Sequence, residues 1–298
     1  MNDKPTTRFR SLIAGSNCVV APGVADALAA RLVALEGFEA VYMTGFGTSL
    51  TRLGAPDVGL LTATEMIDNA ARIADASGLP LIADADTGYG NPINVRRTIR
   101  DYEKAGVAGV HLEDQAWPKR CGHLSGKRVI PSIEMEAKIR AACDARHDPD
   151  FVVIARCDAI AVEGLDAALE RGERYRKAGA DMLFIEAPVG REQVERVSAR
   201  FKGVPLLYNM AASGKTPDLP AEELGKLGFR LAIFPNWIIL AAIPAMRSLL
   251  RELKRAGGIA GVRDKVATFK EFTDIAGLPE IQKLEERYGL PDNERAAL

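Results

Sequence analysis

Eight short apolar runs, each closing at or beside a glycine or a polar residue, recur along the 298-residue chain and constrain it more than any other feature. They are CVVAPG from Cys18, AVYMTG from Ala40, PLIADAD from Pro80, GVHLED from Gly109, FVVIARCD from Phe151, MLFIEA from Met182, PLLYNM from Pro205 and LAIFPN from Leu231. Amphipathic helical segments such as NVRRTIRDYEKAG and GLDAALERGERYRKAG lie between most pairs. Strands alternating with helices predict a parallel sheet, and a count of eight predicts an α/β fold of the (β/α)8 TIM type. The runs are apolar throughout rather than alternating, as expected of strands covered by helices on one face and facing a packed lumen on the other. A doubly wound sheet is the main alternative.

An internal echo supports the count. GFEAVYMTG, GVAGVHLED, GADMLFIEA and GFRLAIFPN each set a glycine just before an even-numbered strand. Gly37, Gly106, Gly179 and Gly228 suit the left-handed position that ends a helix, a structural role with no chemistry attached. After the eighth run, a long helical segment from near Trp237 leads through GGIAGVRDK to a charged helix ending KLEERYGL, with no clear linker. We therefore expect one domain over 1–298, in which 237–298 form the eighth helix and a C-terminal helical extension.

Charge and cysteine usage narrow the partners. The formal net charge is −1, from 39 Lys+Arg against 40 Asp+Glu, and no long run of either sign offers a nucleic-acid footprint or a polybasic membrane patch. No apolar stretch reaches the roughly 18 residues of a membrane span, and the N-terminal segment lacks a secretory apolar region. The expectation is a cytoplasmic protein acting on small molecules. Cys18, Cys121, Cys143 and Cys157 are too widely spread for a disulfide framework. With three histidines in all, a metal would sit among oxygen ligands, which points to Mg²⁺, with Mn²⁺ as an alternative.

In a parallel barrel the active site forms where the strands end. Asp84 and Asp86 close the third run, two apart and so expected on one face of the strand; Glu113 and Asp114 close the fourth, Arg156 and Asp158 the fifth, Glu186 the sixth and Asn209 the seventh. Carboxylates converging on one mouth repel one another unless a cation sits among them. The loop after the fourth run, QAWPKRCGHLSGKRVIP, gathers Lys119, Arg120, Cys121, Gly122 and His123. Neighbouring cations lower a thiol's pKa, so Cys121 reads either as a reactive group on an active-site loop or as an inert surface thiol. His111, inside a strand, reads as a packed histidine.

ADADTGYGN, LEDQ followed by PKRCGH, ARCDA, IEAP and NMAASGKTP occur in this order. In these motifs the chain resembles the isocitrate lyase/phosphoenolpyruvate mutase superfamily, particularly its 2-methylisocitrate lyase and 2,3-dimethylmalate lyase branch, from about Arg8 to the C-terminal helices. The resemblance implies an α/β barrel whose eighth helix is exchanged between subunits of a homotetramer. It implies Mg²⁺ held by Asp84 and Asp86 with Asp57 and Glu113 assisting, and a 2-oxo-acid grip formed by Thr44, Gly45 and Phe46. Arg156 would clamp carboxylate and C2 oxygen, Glu186 and Asn209 would line the substrate site, and Gly122 and His123 would contact the departing half. The implied reaction is a Mg²⁺-dependent retro-aldol cleavage of a dicarboxylate or tricarboxylate to a 2-oxo acid such as pyruvate and a second carboxylic acid, with Cys121 as acid/base group and Arg156, Glu113 and His123 as its catalytic companions.

Two departures bear on substrate choice. Ala212 stands where the branch commonly carries glutamate, and Cys157 where ARTDA is usual. Oxaloacetate hydrolysis or decarboxylation on the same site, or a non-catalytic metabolite-binding barrel, are the rival readings. No GxxxxGK[ST] or strand-linked GxGxxG motif is present.

Overall fold

The computed structural model describes residues 3–122, 126–212 and 216–297. Eight strands run β1 Val19–Val24, β2 Val41–Met43, β3 Leu81–Asp84, β4 Gly109–Glu113, β5 Val152–Cys157, β6 Met182–Ile185, β7 Leu206–Asn209 and β8 Phe229–Phe234. All pair in parallel with their sequence neighbours, and β1 returns to β8 through the register Val19↔Leu231 to Pro22↔Phe234, closing the barrel. This is the (β/α)8 architecture expected from the eight runs.

The side-chain period of two sorts each apolar run into two cores. Val19, Ala21, Tyr42, Ile82, Val152, Ile154, Met182, Phe184, Leu207, Leu231 and Ile233 fill the lumen. Its floor is Phe9 and Ile13 of the N-terminal helix Pro5–Ala14, both buried. The alternate residues, among them Met43, Leu81, Val110, Val153, Leu183 and Tyr208, face outward against the helices. Counting up each lumen column in steps of two reaches Thr44, Asp84, Glu113, Arg156, Glu186 and Asn209 at the strand ends. One parity thus makes an apolar barrel below and a polar mouth above.

Gly37, Gly106, Gly179 and Gly228 all have positive φ, between +79° and +113°, in keeping with their place between a helix and the next strand. The chain forms two compact units, Met1–Ile239 and Leu240–Leu298. The second contains most of the helix Trp237–Ala256 and the helices Phe269–Ala276 and Leu278–Arg287. Thr268 and Glu271 cap the first turn of Phe269–Ala276 reciprocally, satisfying amides that would otherwise lack partners. Among the described residues no helix is long and apolar enough to cross a membrane.

Candidate active site

At the C-terminal mouth, Thr44, Phe46, Asp57, Asp84, Cys121, Gly122, Arg156, Glu186 and Asn209 line one cavity of about 40 Å³. That is room for roughly three waters. Phe184, Ala211, Ile233 and Pro235 supply its apolar walls. Residues spread over more than half the sequence meet here because each ends a strand or lies on the loop that follows one.

Thr44 ends the β2 column and caps the helix Gly45–Leu53, accepting from Gly47 N at 3.2 Å. The start of a helix offers amides without intrahelical acceptors, and with Thr44 and Phe46 lining the cavity this one begins beside the mouth. A Cβ at position 45 would lie 2.5 Å from Asp84 Oδ2, so any larger residue there would displace that carboxylate.

Asp84 Oδ1 accepts from Asp86 N at 2.9 Å and lies 3.8 Å from His111 Nε2, whose ring nitrogen is 2.9 Å from Tyr42 OH. His111 is a packed histidine, fully buried against the rings of Tyr42 and Phe184, and it lies beside Asp84. Burial pushes its pKa down to about 4, so it is neutral at physiological pH. For Asp84 burial acts upward, yet the positive charges of Lys119 and Arg156 and the hydrogen bond from the Asp86 amide bring it below the ordinary carboxylate range.

Asp86 corrects the expectation of a shared strand face. β3 ends at Asp84, and Asp86 lies beyond it with φ +47°, so its position is set by the turn and not by strand alternation. Its Oδ1 lies 2.6 Å from Lys119 Nζ, which is also 2.6 Å from Asp57 Oδ1. Lys119, expected to activate the neighbouring thiol, is instead buried among carboxylates. Burial opposes its charge, but Asp86, Glu113, Asp84 and Asp57 together hold it well above the usual lysine range. Asp86 is pushed up to about 6, chiefly by burial. Asp114 is likewise removed from the mouth: it turns outward, accepting from Tyr175 OH at 2.7 Å and from Asp158 N at 2.8 Å.

Arg156 is fixed on three sides. Its Nε and Nη2 donate to Asp158 at 2.8 and 3.2 Å, its Nη1 lies 3.2 Å from Glu113 Oε2, and its guanidinium carbon is 5.1 Å from the centre of the Phe184 ring. The register Glu113↔Arg156↔Phe184 across β4, β5 and β6 makes this contact possible. Glu186 receives Asn209 Nδ2 at 3.1 Å on both oxygens. The loop is placed by backbone ties: Cys121 N donates to Asp57 O at 3.2 Å, and the Gln115 side chain brackets the Arg120 amide with two 2.9 Å bonds. His123 lies outside the described residues.

The donor set suits a hard divalent cation. Asp57, Asp84, Asp86 and Glu113 bring four carboxylates against the two contacting cations Lys119 and Arg156. Glu113 is fully buried, its oxygens accept no hydrogen bond from the described residues beyond the ion-pair approach of Arg156, and burial raises its pKa well above the usual range. Among the described residues no three His, Cys, Asp or Glu side chains converge as a ready ligand set. An ion that keeps several waters, as Mg²⁺ does, reaches separated carboxylates through them.

The phosphoenolpyruvate phosphomutase family model matches residues 9–254. The chain belongs to the phosphoenolpyruvate mutase/isocitrate lyase superfamily. Within that superfamily it is 49% identical over 281 residues to the 2,3-dimethylmalate lyase of Eubacterium barkeri, covering 94% of this chain and 97% of that one. It is 40% identical to the 2-methylisocitrate lyase of Aeropyrum pernix, covering 94% and 90%. A crystal structure of 2,3-dimethylmalate lyase superposes with TM-score 0.93 at 39% identity over 100% of both chains. Oxaloacetate acetylhydrolase bound to 3,3-difluorooxalacetate gives 0.92 at 39% over 97% and 98%. Phosphonopyruvate hydrolase bound to oxalate and Mg²⁺ gives 0.87 at 30% over 96% and 99%.

Sequence reasoning left the roles of Gln115, Lys127 and Tyr42 unassigned. Gln115 and Lys127 are near the LEDQ and KRCGH motifs and Tyr42 is in the second apolar run, but none of these positions names a contact.

Proposed function

We propose that this carbon–carbon lyase cleaves a 2-alkylmalate of the 2,3-dimethylmalate kind, in a Mg²⁺-dependent reaction that yields pyruvate and a second carboxylic acid. The carrying observation is that Cys121, Arg156 and Asp84 line one cavity with Thr44, Asp57, Glu186 and Asn209, and that Phe46, Phe184, Ala211, Ile233 and Pro235 add apolar wall to it. Carboxylates of the substrate match Arg156 and the amides at the start of the helix Gly45–Leu53, and short alkyl groups match the apolar walls. The 49% identity to a 2,3-dimethylmalate lyase supports the same reading.

Asp84 and Asp86, with Asp57 and Glu113 through waters, would hold the metal, which when bound offsets negative charge growing on the C2 oxygen. The C2 hydroxyl gives up its proton to the Glu113 carboxylate, whose Oε2 lies 3.2 Å from the Arg156 guanidinium. The C2–C3 bond then breaks and its electron pair passes to C3. Arg156 holds the oxo-acid half, Glu186 and Asn209 fix its other side, and the Cys121 thiol supplies the proton to C3. Gly122 and His123 are proposed to face the carboxylate of the leaving half.

Release of 2-oxo acid from malate, 2-methylmalate, 2,3-dimethylmalate, isocitrate, 2-methylisocitrate and oxaloacetate, with Cys121→Ala in parallel, tests this. Cysteine-dependent pyruvate from an alkylmalate is the expected result; undiminished turnover in Cys121→Ala refutes the assigned proton donor. Hydrolysis of oxaloacetate is the second reading, favoured by the close superposition on oxaloacetate acetylhydrolase, and formation of oxalate and acetate would select it.

We also propose a cytoplasmic homotetramer in which the residues after Trp237 form the extension exchanged between subunits. Phe269, Phe272 and Tyr288 in the C-terminal unit are 60–71% exposed, a density of apolar surface that association would cover. Light scattering on the purified protein distinguishes a tetramer from a monomer.

A further inference from the structure

The segment carrying Cys121 rises from a zipped base. Ala116 N donates to Arg128 O at 2.8 Å and Ile130 N to Asp114 O at 2.9 Å, with an antiparallel bridge between Gln115 and Val129. Above that base, Lys127 turns back into the barrel mouth. Its Nζ donates to Gly122 O at 2.6 Å and to Asp158 Oδ1 at 2.8 Å, with its side chain only 3% exposed and Asp158 fully buried. Asp158 also receives Arg156 through Nε and Nη2. Charges therefore alternate along one line, Glu113, Arg156, Asp158, Lys127, and the line ends on the carbonyl next to Cys121.

Each member depends on its neighbours. Without Lys127, Asp158 would face Arg156 alone, drawing the guanidinium away from the cavity, and the Gly122 carbonyl would lose its buried donor. Gly122 is packed so closely on this clamp that a Cβ would lie 2.4 Å from Glu186 Oε1 and 2.5 Å from Arg156 Nη2. Small changes in its seating thus transmit directly to the substrate side of Arg156.

We propose that Lys127 is a positioning residue that couples the seating of Cys121 to the orientation of Arg156 through Asp158. This rests on Cys121 and Arg156 serving as proton donor and carboxylate clamp. The structural half stands apart from that assignment and is tested without substrate.

Carbamidomethylation of Cys121 is timed by peptide mass spectrometry in the wild type, Lys127→Met and Lys127→Arg. Removing a charged buried donor should raise the Cys121 rate at least about tenfold in Lys127→Met, and Lys127→Arg should restore most of the protection. An unchanged rate in a folded Lys127→Met protein overturns the proposal. Should Lys127→Met not fold, Lys127→Gln carries the test: its side chain is uncharged and one bond shorter, so it cannot keep both the Gly122 and Asp158 contacts, and protection equal to wild type there also overturns the proposal.

Turnover then reads the second half. A higher KM together with a lower kcat, both recovered in Lys127→Arg, supports the link to Arg156. A fall in Tm with unaltered KM and kcat assigns Lys127 to stability alone and overturns the link. Faster labelling in a protein that turns over none of the substrates places the failure in the assigned reaction and leaves the seating role supported.

Discussion

The ammonium of Lys119 lies 2.6 Å from Asp86 Oδ1 and 2.6 Å from Asp57 Oδ1, with its side chain 2% exposed. A loop lysine thus neutralises two of the four carboxylates proposed to serve the metal. Lys119→Met leaves those carboxylates facing one another in a buried site, at a cost of about 3–5 kcal/mol to the metal-free protein. The expected drop in Tm in EDTA is on the order of 10 °C. Added Mg²⁺ should recover part of it, because a dication can replace the lost charge. Equal losses with and without Mg²⁺ would separate Lys119 from the metal site.

Chelation should abolish turnover, with Mg²⁺ restoring it and Mn²⁺ substituting. Asp84→Asn keeps the shape of a group that also receives the Asp86 amide at 2.9 Å, while removing its charge. Its kcat/KM should fall at least about 10²-fold with little change in fold. Calorimetric titration with Mn²⁺ checks whether the loss lies in metal affinity.

Arg156→Lys tests the clamp. A lysine cannot keep the paired bonds to Asp158, the approach to Glu113 and the stacking on Phe184 at once. We expect kcat/KM to fall by about 10²-fold or more while circular dichroism shows an intact barrel. Near-wild-type kinetics would remove Arg156 from substrate binding.

Gly122→Ala introduces a methyl 2.4 Å from Glu186 Oε1, which Asn209 holds in place, and 2.5 Å from Arg156 Nη2, which Asp158 holds. The segment then seats imperfectly. Steady-state kinetics should show KM raised roughly tenfold, the consequence of losing one charged contact, with Tm almost unaltered.

The four cysteines should differ sharply towards iodoacetamide. Burial pushes Cys18 up to about 12 and Cys143 up to about 11, and raises Cys157 well above the ordinary thiol range. A thiol with a raised pKa is unreactive below that pKa and gains thiolate only as pH climbs towards it. At pH 8 roughly one Cys143 in a thousand and one Cys18 in ten thousand is ionised. Cys121, only partly buried, should therefore carry nearly all the label at pH 8. Substantial Cys143 labelling at that pH would contradict the burial seen here.

Patterning alone specified much of this protein. Apolar runs separated by amphipathic helices predict a parallel sheet, with a count of eight favouring the barrel over a doubly wound sheet, and Gly37, Gly106, Gly179 and Gly228 take the left-handed φ that their place between helix and strand requires. The period of two in each strand carries Asp84, Glu113, Arg156, Glu186 and Asn209 to one mouth, so the side chains at the strand ends are legible in the sequence. These are local regularities, set by backbone geometry and by burial of alternate side chains.

What only the tertiary structure decided are the pairings across loops. Lys119 goes to Asp57 and Asp86 rather than to the adjacent thiol, and Lys127 to Asp158, 31 positions away. Asp86 leaves the strand face because β3 ends two residues earlier and the chain turns there with φ +47°. Asp114, beside Glu113 in sequence, faces the helix layer and binds Tyr175. A charged side chain chooses its partner from whatever the closed barrel brings within a few ångströms, and its burial there makes that choice strong; sequence distance carries no record of it.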